Sequence, residues 1–74
     1  MSSLNVLSPL TGSVWKIEVQ PGAQVAQGDV LMVIESMKME IPVEAPQAGV
    51  LTALSVQEGE TVQEDQLLAA IELA

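Results

Sequence analysis

From Ser13 to Val19 the chain alternates, with Trp15, Ile17 and Val19 on one face and Lys16 and Glu18 on the other. That period of two is the signature of a half-buried strand. Val50, Leu54 and Val56 take the equivalent face in a later stretch. Val30 to Ile34 and Leu67 to Ile71 are short continuous apolar runs, and their length and the turn residues around them favour strand over helix. In Met39 to Glu44, Met39, Ile41 and Val43 alternate with Glu40, Pro42 and Glu44. Pro42 has no amide to give a ladder, so its nitrogen is expected to face solvent or an unpaired edge. A helix is conceivable only around Glu64 to Ala70, and the matching run with Val30 and Val33 argues against it.

The two sets of runs are copies. Residues 4–35 align without a gap on residues 41–72, an offset of 37, with identities that include Val6/Val43, Pro9/Pro46, Gly12/Gly49, Gly22/Gly59, Leu31/Leu68 and Ile34/Ile71. Two copies are too few for a solenoid, so each half is expected to complete the core of the other. The breaks match as well. Gln20-Pro21-Gly22-Ala23 and Gln57-Glu58-Gly59-Glu60 each put glycine where a positive φ is needed, and Gln27-Gly28-Asp29 and Glu64-Asp65-Gln66 mark a second turn. The reading is an all-β fold of eight short strands: a flattened antiparallel barrel or sandwich (a barrel-sandwich hybrid) with internal two-fold pseudosymmetry, one domain over residues 1–74. Trp15, the sole aromatic, is expected in its core.

Composition narrows the chemistry. The chain has no cysteine and no histidine, which excludes a disulfide framework and the usual zinc and iron–sulfur sites. Ten acidic residues against two basic give a net charge of −8. That argues against nucleic acid, because there are too few cations to displace phosphate counterions, and against an anionic membrane. Such a charge keeps a small protein soluble and can steer it toward basic partners. Met1-Ser2-Ser3-Leu4-Asn5 has no basic residue ahead of an apolar core, so no secretory signal is expected. A cytoplasmic, monomeric, free-standing protein is the expectation. No catalytic constellation or glycine-rich phosphate loop is present.

What stands out lies between the copies. Glu35-Ser36-Met37-Lys38-Met39-Glu40 joins two strand runs, with one of only two lysines at its centre and no Asn-Gly or similar two-residue turn signal. Lys38 falls where the pseudo-symmetric counterpart is the pair of chain termini, so this link and the termini are expected at opposite ends. Lys16, on the outer face of a strand, reads as an ordinary solvated residue. Met37 is expected to be exposed, and the parity of Met39 with Ile41 and Val43 admits either a core or a surface position.

The hexad at 35–40 resembles the attachment motif of biotinyl domains, the carrier modules of biotin-dependent carboxylases. The resemblance covers nearly the whole chain, including Ser8-Pro9, Ala45-Pro46 and the paired turns, with Ser36 where the family more often has alanine. It implies that biotin is attached to Lys38, that Met37 and Met39 are the motif flanks, and that Glu35, Ser36 and Glu40 form the hairpin context. It also implies a biotin protein ligase that modifies the lysine, a biotin carboxylase that carboxylates the biotin with ATP and bicarbonate, and a carboxyltransferase that passes the carboxyl group on. The domain itself is then a non-catalytic carrier. Some acetyl-CoA carboxylase members carry a protruding thumb in the first half; here residues 17–25 align gap-free on 54–62, which leaves no room for one and points to thumbless carriers of other acyl-CoA, pyruvate or urea carboxylases. Two alternatives stand beside this: a lipoyl-type carrier, disfavoured because that relative shows Asp-Lys-Ala at the tip, and an unmodified β module serving interactions.

Overall fold

In the computed structural model, which describes residues 2–73, the chain forms eight strands: β1 (Ser3–Leu7), β2 (Gly12–Ile17), β3 (Gln24–Val25), β4 (Val30–Ser36), β5 (Met39–Glu44), β6 (Gly49–Leu54), β7 (Thr61–Val62) and β8 (Leu67–Leu73). All pairings are antiparallel, in two four-stranded sheets ordered β1-β8-β6-β3 and β5-β4-β2-β7. The Glu64 to Ala70 stretch is turn and strand, not helix. Each sheet takes its central pair from one copy of the repeat and its two edges from the other. Neither copy could close a sheet alone.

The core repeats with the sequence. Val6 and Val43, Val14 and Leu51, Val25 and Val62, Leu31 and Leu68, Ile34 and Ile71, and Met32 and Ala69 are all buried, each pair related by the offset of 37. A fully buried aliphatic side chain contributes about 1.5–3 kcal/mol, so a body this small depends on nearly every one. The turns are tied across the copies in the same paired way. The Gly22 amide donates to the Leu51 carbonyl and the Gly59 amide to the Val14 carbonyl, both at 2.7 Å; the Gly28 amide donates to Ala45 O and the Asp65 amide to Ser8 O, both at 2.8 Å. Gly22 and Gly59 have φ of 98° and 88°, and Asp65 takes at 68° the left-handed position that Gly28 holds in the first copy.

Trp15 does not belong to the core; it is 51% exposed. Val14 lies opposite Ile34 on β4 and Lys16 opposite Val33, so Trp15 is the extra residue of a bulge. The same bulge recurs at Thr52, between Leu51 opposite Ile71 and Ala53 opposite Ala70 on β8. The inserted residue breaks the alternation. Val14 points into the core, and Ile17, three positions on, packs against it again. The apolar side chain of the bulge is left outside.

The registers also fix the direction of the body, whose extents are 37 × 17 × 17 Å. β4 ends beside Ser13, and β7 passes Ser13 and then Gly12, so both strands run toward one end. There residues 63–66 turn the chain into β8, which runs back along β1 to Leu73, whose amide donates to Ser2 O at 2.9 Å. The β4–β5 connection and the first and last described residues, Ser2 and Leu73, therefore lie at opposite ends, as the repeat implies. Pro42 lies on β5, an edge strand, where its missing amide costs no ladder bond.

Candidate functional site

The link between β4 and β5 is shorter than its sequence suggests. Glu35 lies opposite Glu40 and Ser36 opposite Met39, which leaves only Met37 and Lys38 in the loop. This is a two-residue hairpin turn even though no Asn-Gly signal precedes it. Both loop residues have positive φ, 51° for Met37 and 66° for Lys38, as the right-handed twist of the strands requires of a type I′ turn. For residues other than glycine, asparagine or aspartate that conformation costs roughly 1–2 kcal/mol each. Seven-residue β4 and six-residue β5, paired along almost their full length, hold the turn in place.

The tip carries little else that binds it. Met37 is 93% and Met39 62% exposed, so neither is a core filler. Lys38, Glu35 and Glu40 are exposed and Ser36 is half-buried. Glu35 and Glu40 face each other directly, a like-charge cross-strand pair that is mildly destabilising. Among the described residues the one ion pair is Lys16 with Glu18, at 3.9 Å. Neither glutamate at the tip holds the Lys38 ammonium. An exposed lysine with no ion pair or side-chain hydrogen bond among the described residues, on a turn held by a ladder of paired strands, has a fixed backbone position and an accessible amine.

One supporting residue was legible only as an unexplained identity. A Cβ on Gly12 would lie 2.5 Å from the Glu35 carbonyl oxygen, 2.9 Å from Ile34 Cγ2 and 3.2 Å from Ser36 Cβ. Gly12 thus lets β2 pass close under the base of the hairpin. Gly49 does the same beneath Ile71 and Glu72 at the other end, which is why the pair is identical in the two copies. Among the described residues no group of three or more acidic residues able to hold a metal occurs, and no helix there is long and apolar enough to cross a membrane.

Comparison with known proteins identifies the family. The model of a family described as biotin-requiring enzyme, which covers biotin and lipoyl attachment domains, matches residues 5–71. The chain is 43% identical over 67 residues to a protein of Mycobacterium leprae named as a homologue of biotinylated protein TB7.3, covering 90% of this chain and 94% of that one. It is 35% identical to the biotin/lipoyl attachment protein of Bacillus subtilis, over 88% and 89% of the two chains. It also matches parts of far larger proteins. It is 41% identical to the alpha3 subunit of a biotin-dependent acyl-coenzyme A carboxylase of Mycobacterium leprae, over 89% of this chain and 11% of that subunit. Among solved structures, the urea carboxylase of Kluyveromyces lactis superposes with a TM-score of 0.91 at 30% identity, over 97% of this chain and 6% of that one. With the family model spanning nearly all of the two-fold scaffold and its exposed lysine tip, the chain belongs to the biotin/lipoyl attachment-domain family of the biotin-requiring enzymes.

Proposed function

We propose that biotin is attached to Lys38 and that the domain carries it between the active sites of a biotin-dependent carboxylase. Biotin is the cofactor of this family, whose domains carry it without catalysing. The observation behind the site is the state of Lys38: exposed, at the apex of a two-residue turn, and unpaired by any carboxylate among the described residues. These residues suit the group. Acylation converts the ammonium into a neutral amide, and no contact of the fold depends on the charge that is lost. The exposed tip admits a ligase to the amine. Met37 and Met39 offer adaptable apolar contacts to that enzyme. The chemistry supplied by biotin when bound is reversible carriage of a carboxyl group.

The partners in this reading are a biotin protein ligase, a biotin carboxylase and a carboxyltransferase, with a net charge of −8 to steer the carrier toward basic surfaces. The acceptor in this reading is an acyl-CoA, with the 41% identity to an acyl-coenzyme A carboxylase subunit in support. A cytoplasmic, monomeric carrier fits the same picture. Intact mass and peptide mapping of protein from its native host test the site. One biotin on Lys38 is expected, Lys38→Arg should abolish it without disturbing the fold, and Lys16→Arg should leave it unchanged. Biotin on the Lys38→Arg protein would refute the assignment.

A further inference from the structure

The one aromatic ring of the chain lies outside the core, on the sheet that carries the tip. Trp15 occupies the β2 bulge and points away from the core that Val14 enters. Beside it Lys16 lies opposite Val33 of β4, and Val33 lies opposite Pro42 of β5. Val33 is half-buried and Pro42 exposed, so Lys16, Val33 and Pro42 make one strip across the outer face, with the exposed ring of Trp15 beside its Lys16 end. Glu18 stands 3.9 Å from that ammonium and both are exposed, a pairing too long and too solvated to occupy it. The fold does not require the ring. The matching bulge residue is Thr52, whose hydroxyl donates to Ala70 O at 3.1 Å.

We propose that this strip is a resting dock for the head of the biotin carried on Lys38, with Trp15 as its floor and Lys16 as donor to the ureido oxygen. The proposal rests on the attachment reading above. Reach permits it. From Lys38 Cα to the biotin ring the arm runs about eleven bonds, roughly 14 Å extended at about 1.5 Å per bond in a tetrahedral zigzag. Pro42 is four residues down β5 from Lys38, roughly 13 Å along the strand, and β2 lies two strand spacings, about 10 Å, across the sheet. The ring's own width and the projecting indole cover the remaining distance. The thioether sulfur of the head suits the edge of an indole.

Charge selects the same place. Once Lys38 is acylated, Lys16 is the only lysine or arginine left on a chain with ten carboxylates. A head loaded with an anionic carboxyl group is repelled by Glu35 and Glu40 at the tip and finds one cation within reach. A short flexible tether gives the head an effective concentration on the order of millimolar at the strip, so a contact with a Kd of about a millimolar is about half occupied. The arm thereby stays near its own domain until a partner's pocket competes for it.

Trp15 is the only aromatic residue, so its emission reports on this strip alone. The protein is prepared with and without biotin, and occupancy is fixed by intact mass; a chain that takes up no biotin at Lys38 refutes the attachment reading, and with it the dock's occupant. With biotin on Lys38, acrylamide quenching of Trp15 should fall about twofold, as half-occupancy at a millimolar effective concentration gives, and the indole N–H resonance should shift. Equal quenching and an unmoved resonance in the two forms would overturn the dock while leaving attachment intact. Protection that appears equally in the unmodified protein and grows with its concentration would assign the strip to a second copy, which also overturns it. Lys16→Gln should restore at least about half of the lost quenching; full protection in that variant removes Lys16 from the dock.

Discussion

Met37→Asn should make this domain more stable, although it removes an apolar side chain from the attachment motif. Met37 is 93% exposed, so its replacement forfeits almost no burial. Its φ of 51° lies in the left-handed region, where an ordinary L residue gives up roughly 1–2 kcal/mol and asparagine considerably less. Relief of about half that strain gives a gain of roughly 0.5–1 kcal/mol. For a domain of this size that corresponds to a rise in Tm of about 2–8 °C. Circular dichroism melts of both proteins measure it, with urea titration to confirm an unchanged m-value. Met39→Asn is the control. It is also exposed, at 62%, but lies in β5 with an ordinary strand conformation, where asparagine is disfavoured, so its Tm should stay level or fall. A Met37→Asn protein that melts at or below the wild-type temperature would show that the turn stores no strain at this residue.

The repeat makes further results testable in pairs. Gly22→Val and Gly59→Val, at φ of 98° and 88° with open space around both, should each cost more than about 1 kcal/mol, and by similar amounts; thermal melts matching wild type would contradict the turns described. Gly12→Ala drives a methyl group against the Glu35 carbonyl oxygen and should cost about 1–3 kcal/mol, measured by urea denaturation, with slower ligase-catalysed biotinylation because the base of the hairpin must shift. Exchanging the tip residues (Met37→Lys with Lys38→Met) keeps the composition but moves the amine to the other turn position; biotin incorporation should drop roughly 100-fold if the ligase reads geometry, and an unchanged rate would show that it reads local sequence.

The repeat at an offset of 37 already contained the strand count, the pseudosymmetry, the turn glycines and the position of Lys38 between the copies. Such features are local, set by apolar period, by residues that tolerate positive φ, and by a lysine that no core could accept. Three features depended on the tertiary structure. Period-two parity placed Trp15 inside, because alternation carries no mark of where an extra residue enters a strand; only the pairing of β2 with β4 locates the bulge that turns it outward. The hexad gave no turn signal, yet the ladder of β4 and β5 forces Met37 and Lys38 into left-handed conformations that their own preferences oppose. Gly12 was visible as half of an identical pair, but its purpose appears only when Glu35, more than twenty residues away, is packed against it. For Trp15 and Gly12 the deciding partner is distant in sequence, and for the turn it is the pairing of the two flanking strands; in each case a contact between strands is an energy the local pattern does not record.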